Sequence, residues 1–366
     1  MTQIFLPLRF LMNIFSIMAL EYHLWAGFCI LPRNMKNPFK ALASVGFAAL
    51  LLAGFGCSSS GTPTARVASP TLATLPTPSG VGTPTSAEPS VGAAAPGSWI
   101  PDTKGPWDGS IYLATSTDGL TFTGRTLVLK AAGVPNLQRL PDGTLVLLYQ
   151  YFSSTDQTMF DQIAYSTSSD SGKTWTDPAA VNITNLPTSI DGKKKPMDPT
   201  LVQLTDGSLR LYFTYHVKGN QTAALYEATA ADGKISSAFV SNSTPSLMVD
   251  KNLLDPSVAS FNGVWHHYSW QMESDANYHS TSTDGITFTL QSDVTLPMDF
   301  LGEVVPMNNG LRFYGTGKGG VLSAFSSDGS TWTMDSGSRV TQGADPGVTQ
   351  LADGSYVMIF TSMNFN

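Results

Sequence analysis

The sequence predicts an all-β chain folded as a five-bladed β-propeller, and three observations carry that prediction. Degenerate copies of Ser168-Ser169-Asp170-Ser171-Gly172-Lys173-Thr174-Trp175 recur down the chain. A second motif, an Asp-Gly or Asn-Gly pair between two apolar runs, interleaves with the first. The glycines of that second motif recur at intervals of 64, 56, 47 and 44 residues, close to one four-stranded blade per repeat.

The copies of the first motif are Ser116–Phe122, Ser282–Phe288 and Ser326–Trp332, each one residue shorter, with a weaker copy at Ala230–Ile235. They keep Ser, Asp, Gly, Thr and a terminal aromatic. The second motif is Asp142-Gly143, Asp206-Gly207, Asn262-Gly263, Asn309-Gly310 and Asp353-Gly354. Such pairs between β-branched and aromatic runs are strong hairpin signals, because both turn positions take positive φ. Thus Pro199–Leu204, the turn and Leu209–His216 read as strand, turn, strand. Each repeat runs strand 1, Asp/Asn-Gly turn, strand 2, connection, strand 3, Asp turn, strand 4, and no long helical periodicity competes with it.

The phase of the pattern predicts how the ring closes. The repeats open on strands 3 and 4, from Ile111 to Leu129, and end on strands 1 and 2, Val348–Leu351 and Tyr356–Thr361. Joining the two ends makes one mixed blade and removes the open sheet edges that invite aggregation.

The 366 residues are 42% hydrophobic and 10% aromatic, ample for a substantial core, and only 13% charged. Lys+Arg 20 against Asp+Glu 27 gives −7. This balance excludes a nucleic-acid partner, whose phosphates need basic surface, and suits a neutral, hydroxyl-rich ligand on a monomeric protein. Cys29 and Cys57 both precede the repeats, so the propeller has no disulfide and no cysteine metal site.

Residues 1–57 read as a leader, with 35–57 the signal proper: Met35–Lys40 supplies a positive region and Ala41–Phe55 an apolar one. The end of this segment, Gly54-Phe55-Gly56-Cys57, resembles a bacterial lipoprotein signal, which implies lipidation of Cys57, export and attachment to a membrane. A plain cleaved signal and an uncleaved anchor are the alternatives. Met1–Asn34 reads as sequence upstream of a true start at Met35, or as a second membrane segment in which Arg9 and Glu21 are costly. Residues 58–97, rich in Ser, Thr, Pro and Gly, bury too little to fold and read as a tether. The propeller is assigned to residues 98–366.

The short Asp turns resemble the Asp-box (BNR) repeats of sialidases and other propeller proteins over about Gly109 to Thr361. Their Asp accepts backbone N–H bonds and their Gly supplies the turn, so Asp118, Asp170, Asp284 and Asp328 are structural. Chemistry is expected instead at the start of each blade's first strand, which faces the axial channel. Those positions hold Val134-Pro135-Asn136, Asp198-Pro199, Asp255-Pro256, Gly302-Glu303 and Asp345-Pro346, an acid in four of five blades. Converging like charges raise one another's pKa and are costly unless used or paired. Asp before Pro also serves as a structural cap.

Five blades, Asp-Pro at the first strands and a later Gly-Glu resemble the family 43 and family 32 glycosidases. That resemblance implies Glu303 as the acid and Asp255 as the group that orients it. It also implies a base at Val134-Pro135-Asn136, where this chain has no carboxylate, so either Asp198 or Asp345 takes the role or the site binds sugar without cutting it. Asn136, Gln138, Trp265 and Trp270 are the candidate carbohydrate contacts, with packing as the plain alternative for the tryptophans. No cofactor is expected, although an acidic channel is compatible with calcium. A non-catalytic glycan- or protein-binding propeller is the alternative function, and a sialidase, with its arginine triad, the third.

Overall fold

The computed structural model describes Ile100, residues 105–272, Ser274 and residues 276–362. The leader, Cys57 and the whole of the tether lie outside the described residues. Those described form an all-β, five-bladed propeller, with two short 3-10 turns and no α-helix among them.

One sheet is assembled from both ends of the repeats, in the order Thr123–Lys130, Ser110–Ser116, Tyr356–Ser362, Gly343–Gln350. We number this mixed sheet blade one. Ile111 pairs with Thr361 and Ser116 with Tyr356 across the junction, antiparallel and without a register break. The innermost strands of blades two to five are Ala132–Arg139, Met197–Gln203, Leu254–Phe261 and Asp299–Met307, each followed outward by antiparallel neighbours, except that the outermost strand of blade three, Ile183–Thr184, pairs in parallel.

The apolar residues do not pool into one core. They form five clusters, one at each junction between blades. Leu148 of blade two meets Leu211 and Phe213 of blade three, and Ile359 of blade one meets Leu137 and Leu147 of blade two. This follows from the sequence: alternation buries both faces of each middle strand, so Leu209–Tyr215 is buried throughout.

The repeated turns fasten the outer part of the same junctions. In the Asp-boxes, Asp118 Oδ1 accepts from Leu120 N at 2.8 Å and Thr121 N at 2.7 Å, and Asp328 Oδ1 from Ser330 N and Thr331 N at 2.7 Å. These bonds hold both carboxyls well below the usual carboxylate range. Three box glycines also accept a tyrosine hydroxyl from the preceding blade. The pairs are Tyr212–Gly285 at 2.7 Å, Tyr268–Gly329 at 2.6 Å and Tyr314–Gly119 at 2.8 Å.

Candidate functional site

The axial site is built by a bulge repeated in every innermost strand. Pairing to the second strand slips between Gly133 and Asn136, Met197 and Thr200, Leu254 and Ser257, Asp299 and Gly302, and Ala344 and Gly347. The residue before proline in four of these bulges takes a left-handed backbone: Val134 at φ 49°, Asp198 at 55°, Asp255 at 51° and Asp345 at 46°. Asp tolerates this conformation, whereas a β-branched residue is strained by it. Val134 adopts it without an acid, so the bulge is architectural, and Asp is the residue that fits it while presenting a carboxyl.

Blade five departs from the pattern and corrects the sequence alignment. Glu303 pairs with Tyr314 as Ser257 pairs with Tyr268 and Thr200 with Tyr212. Glu303 is therefore the counterpart of Ser257 and Thr200, two positions beyond the aspartates, and Leu301 occupies the level of Asp198, Asp255 and Asp345. That level carries three acids, not four. Gly302, at φ 152°, replaces the proline, and a Cβ there would lie 2.2 Å from the Tyr314 carbonyl oxygen.

The three aspartates line one small cavity with Val134, Asn136 and Gly302, about 10 Å³ in volume. That is room for about one water. Asp198 is buried, while Asp255 and Asp345 are half-buried. Asp198 Oδ2 accepts from Asp255 N at 3.2 Å. Burial pushes the Asp198 carboxyl up to about 6. Burial first, then the charge of Asp198, pushes Asp345 up to about 6. Asp255 lies between both neighbours in electrostatic terms: burial, then Asp198 and then Asp345, hold it well above the usual carboxylate range.

Glu303 belongs to a different construction. Its Oε2 accepts from Val348 N of blade one at 2.6 Å and from Leu137 N of blade two at 3.4 Å, and its Oε1 accepts from Asn136 Nδ2 at 2.9 Å. Counterpart residues link the other innermost strands. Asn136 Oδ1 accepts from Leu201 N at 2.9 Å, Thr200 Oγ1 donates to the Pro256 carbonyl, and Ser257 Oγ accepts from Val304 N at 2.8 Å. In blade one the counterpart is Gly347, where a Cβ would lie 2.9 Å from Leu137 N. No side chain fits there, and the long Glu303 spans from blade five past blade one to blade two. Burial still pushes its carboxyl up to about 8, against those three hydrogen bonds.

The other expected contacts divide. Asn136 lines the mouth, but its amide is spent on Glu303 and Leu201. Gln138 and Trp265, with Glu303, line a second cavity at the far end of the innermost strands, about 600 Å³ in volume. Trp270 lines neither cavity; it pairs with Leu254 and Asn277. No arginine lines the mouth. Arg210 pairs with Glu227, Arg312 with Asp335 at 3.0 Å, and Arg125 lies over the Tyr112 and Phe360 rings. Among the described residues no group of three or more His, Cys, Asp and Glu is arranged to hold a metal ion.

Sequence reasoning missed the buried His266–His279 pair, whose Nδ1 and Nε2 lie 3.1 Å apart beneath the Asp-box glycine Gly329. They lie on neighbouring strands two residues apart in register, His266 pairing with Thr281 and His279 with Tyr268, and only the pairing of Val264–Trp270 with Ala276–Ser282 brings them together.

Repeated Asp turns, five sheets and an acid mouth at the channel define a propeller of the Asp-box class. The chain belongs to the family of BNR repeat-like domains, whose model matches residues 99–299. Among solved structures it is similar to a family 117 glycoside hydrolase of Zobellia galactanivorans, at 14% identity over 72% of this chain and 94% of that one, with a TM-score of 0.45. It is similar also to a family 32 β-fructofuranosidase of Bombyx mori, at 15% identity over 72% of this chain and 59% of that one, TM-score 0.46. A thermostable family 43 glycoside hydrolase aligns at 9% identity over 63% of this chain and 88% of that one, TM-score 0.46. No curated protein matches the chain.

Proposed function

We propose that the protein is an exported, glycan-active propeller that hydrolyses a glycosidic bond at the mouth formed by Asp198, Asp255 and Asp345. The observation that carries this reading is the convergence of three aspartates on one mouth, each held above the usual carboxylate range by burial, and Asp255 and Asp345 by the charge of Asp198 as well. Glycosidic hydrolysis needs one carboxyl that keeps its proton and one that gives it up. Asp255 fits the first description, and Asp198 or Asp345 the second.

In this reading a sugar lies across the mouth and Asp255 gives its proton to the leaving oxygen as the bond to the anomeric carbon breaks. Asp198 or Asp345, ionised, takes a proton from the attacking water or attacks the carbon itself. Glu303 closes the ring and stays out of the reaction.

The test is release of reducing sugar from a panel of plant and microbial oligosaccharides by wild type and by Asp198→Asn, Asp255→Asn and Asp345→Asn. The reading expects turnover that Asp255→Asn lowers by about 10²-fold or more, as does Asp345→Asn or, if Asp198 is the base, Asp198→Asn, with the melting temperature held. A wild type that cleaves nothing on the panel sinks it.

A second reading, a propeller that binds glycan without cutting it, draws on the capture of Glu303 by two backbone amides. The carboxyl that the glycosidase resemblance makes the acid is the one committed to the fold. Binding without turnover, insensitive to Asp255→Asn, would favour it. Export and membrane attachment rest on the lipoprotein-like segment ending at Cys57. Cys57→Ala is expected to move the protein from the membrane fraction to the soluble one.

A further inference from the structure

The second cavity lies at the opposite end of the innermost strands from the aspartates, where the Asp/Asn-Gly hairpins turn back. Its volume of about 600 Å³ falls within the range of about 300–1,000 Å³ typical of small-molecule sites. Most of its charged groups are already committed. Asp206 accepts from Ser208 N at 3.0 Å and Asp284 from Ile286 N at 2.8 Å, each within its own turn. Arg210 donates to the Asp284 carbonyl at 2.9 Å and lies 3.8 Å from Glu227, and Glu303 is held in the ring. Arg139 is different: its guanidinium makes no hydrogen bond or close ion pair among the described residues, and feels only the more distant charge of Asp142 in the adjoining turn.

Three amides share this end. Gln138 Nε2 donates to the Arg139 carbonyl at 2.8 Å, Gln203 Nε2 to Gly207 at 3.5 Å and Gln350 Nε2 to Gly354 at 3.0 Å. Their Oε1 atoms accept nothing from the described residues, so each keeps an acceptor for a ligand. Trp265 adds a partly exposed indole to the lining. It is half-buried and braced, with the Tyr212 ring 6.4 Å away and the Arg210 guanidinium 5.8 Å from its centroid. A Cβ on Gly285 would lie 2.8 Å from the indole, so this box position must be small for the platform to form.

We propose that this cavity is a second saccharide-binding site, separate from the aspartate mouth, with Trp265 under the sugar ring and Arg139 and the Gln138, Gln203 and Gln350 amides on its hydroxyls. Guanidinium donors and amide acceptors around an aromatic face match the alternating polar edge and apolar face of a pyranose. The cavity carries no group for bond breaking, because its carboxylates are satisfied by the fold; it holds a chain and does not cut it. This proposal does not depend on hydrolysis at the mouth.

Calorimetric titration of the folded propeller with xylohexaose, arabinohexaose and a galacturonate hexamer tests it. The protein carries Asp255→Asn and Asp345→Asn, so that the mouth is disabled. Binding of at least one hexamer is expected to persist, and to weaken tenfold or more on adding Arg139→Ala or Gln138→Ala plus Gln350→Ala. Those side chains sit at the hairpin end and are removed without emptying a core. Binding confined to the galacturonate hexamer would identify a carboxylate on Arg139; binding of the neutral hexamers would identify the hydroxyls. No binding by any hexamer overturns the proposal, as does binding that Arg139→Ala leaves unchanged. Hexamer binding lost with the two aspartate substitutions alone would also overturn it, while leaving the reading of the mouth intact.

Discussion

Asp198, Asp255 and Asp345 owe their proximity to a backbone conformation that all of them share with Val134. The bulge sets where the side chain starts; burial and mutual repulsion then set its charge. Because Asp198 and Asp345 are raised to about 6, a base drawn from them becomes active as pH rises through that value. Asp255, held well above the usual carboxylate range by burial and by the charges of Asp198 and Asp345, is the group assigned the proton for the leaving oxygen, and activity is lost once it ionises. Turnover measured against pH is expected to rise near pH 6 and fall again at higher pH, and Asp345→Asn to shift or abolish the rising limb. These three acids were legible in the sequence because Asp-Pro recurs at blade spacing. The place of Glu303 was not, because Gly302-Glu303 imitates an acid beside a bulge residue and only its pairing with Tyr314 separates the two levels. Removing Glu303 leaves two backbone amides and the Asn136 amide without their acceptor. Glu303→Ala is expected to destabilise the fold by about 3 kcal/mol or more, each buried unpaired group costing about 1–3 kcal/mol, as read by denaturant unfolding. The folded carboxyl titrates higher than the unfolded one, so its contribution is full below pH 4.5 and is lost toward about 8. The stability gap between wild type and Glu303→Gln should narrow across that window.

At the scale of the element, the Asp-box works twice. It closes the turn between the third and fourth strands, and in three of the boxes its glycine carbonyl receives the tyrosine of the neighbouring blade. The first role was legible from Ser, Asp, Gly and Thr at fixed spacing, since every bond in it is local. The second was not, because Tyr268 and Gly329 are 61 residues apart and nothing nearby in sequence signals the bond. Tyr268→Phe is expected to lower stability by about 1 kcal/mol, seen as a fall in the melting temperature. The second strand of blade four also buries His267 between Ser269 and Ser280, at 2.8 and 2.9 Å. Burial lowers its pKa from 6.5 to about 3, so its stabilising contribution is present above pH 6.5 and is lost as pH falls toward 3. The difference in stability between wild type and His267→Asn should shrink over that interval, measured by unfolding at each pH.

Across the whole molecule, five apolar clusters and one chain of side-chain links join five sheets into a ring. The count of five blades followed from turn spacing alone, since hairpin glycines are set by local geometry. The opposing cavities did not follow, because they depend on how far each innermost strand reaches along the channel, and that distance is fixed by packing between blades. Gln138 and Trp265, expected beside the acids, therefore lie at the other end. One comparison weighs the two ends of this channel and the two kinds of acid directly: the specific activity of folded Asp255→Asn and folded Glu303→Gln on an oligosaccharide that wild type cleaves, well below either melting temperature. A working mouth predicts that Asp255→Asn loses about 10²-fold or more, while Glu303→Gln, though less stable, keeps activity within about fivefold of wild type, a change of about 1 kcal/mol in the barrier. Activity lost in Glu303→Gln and kept in Asp255→Asn would contradict it.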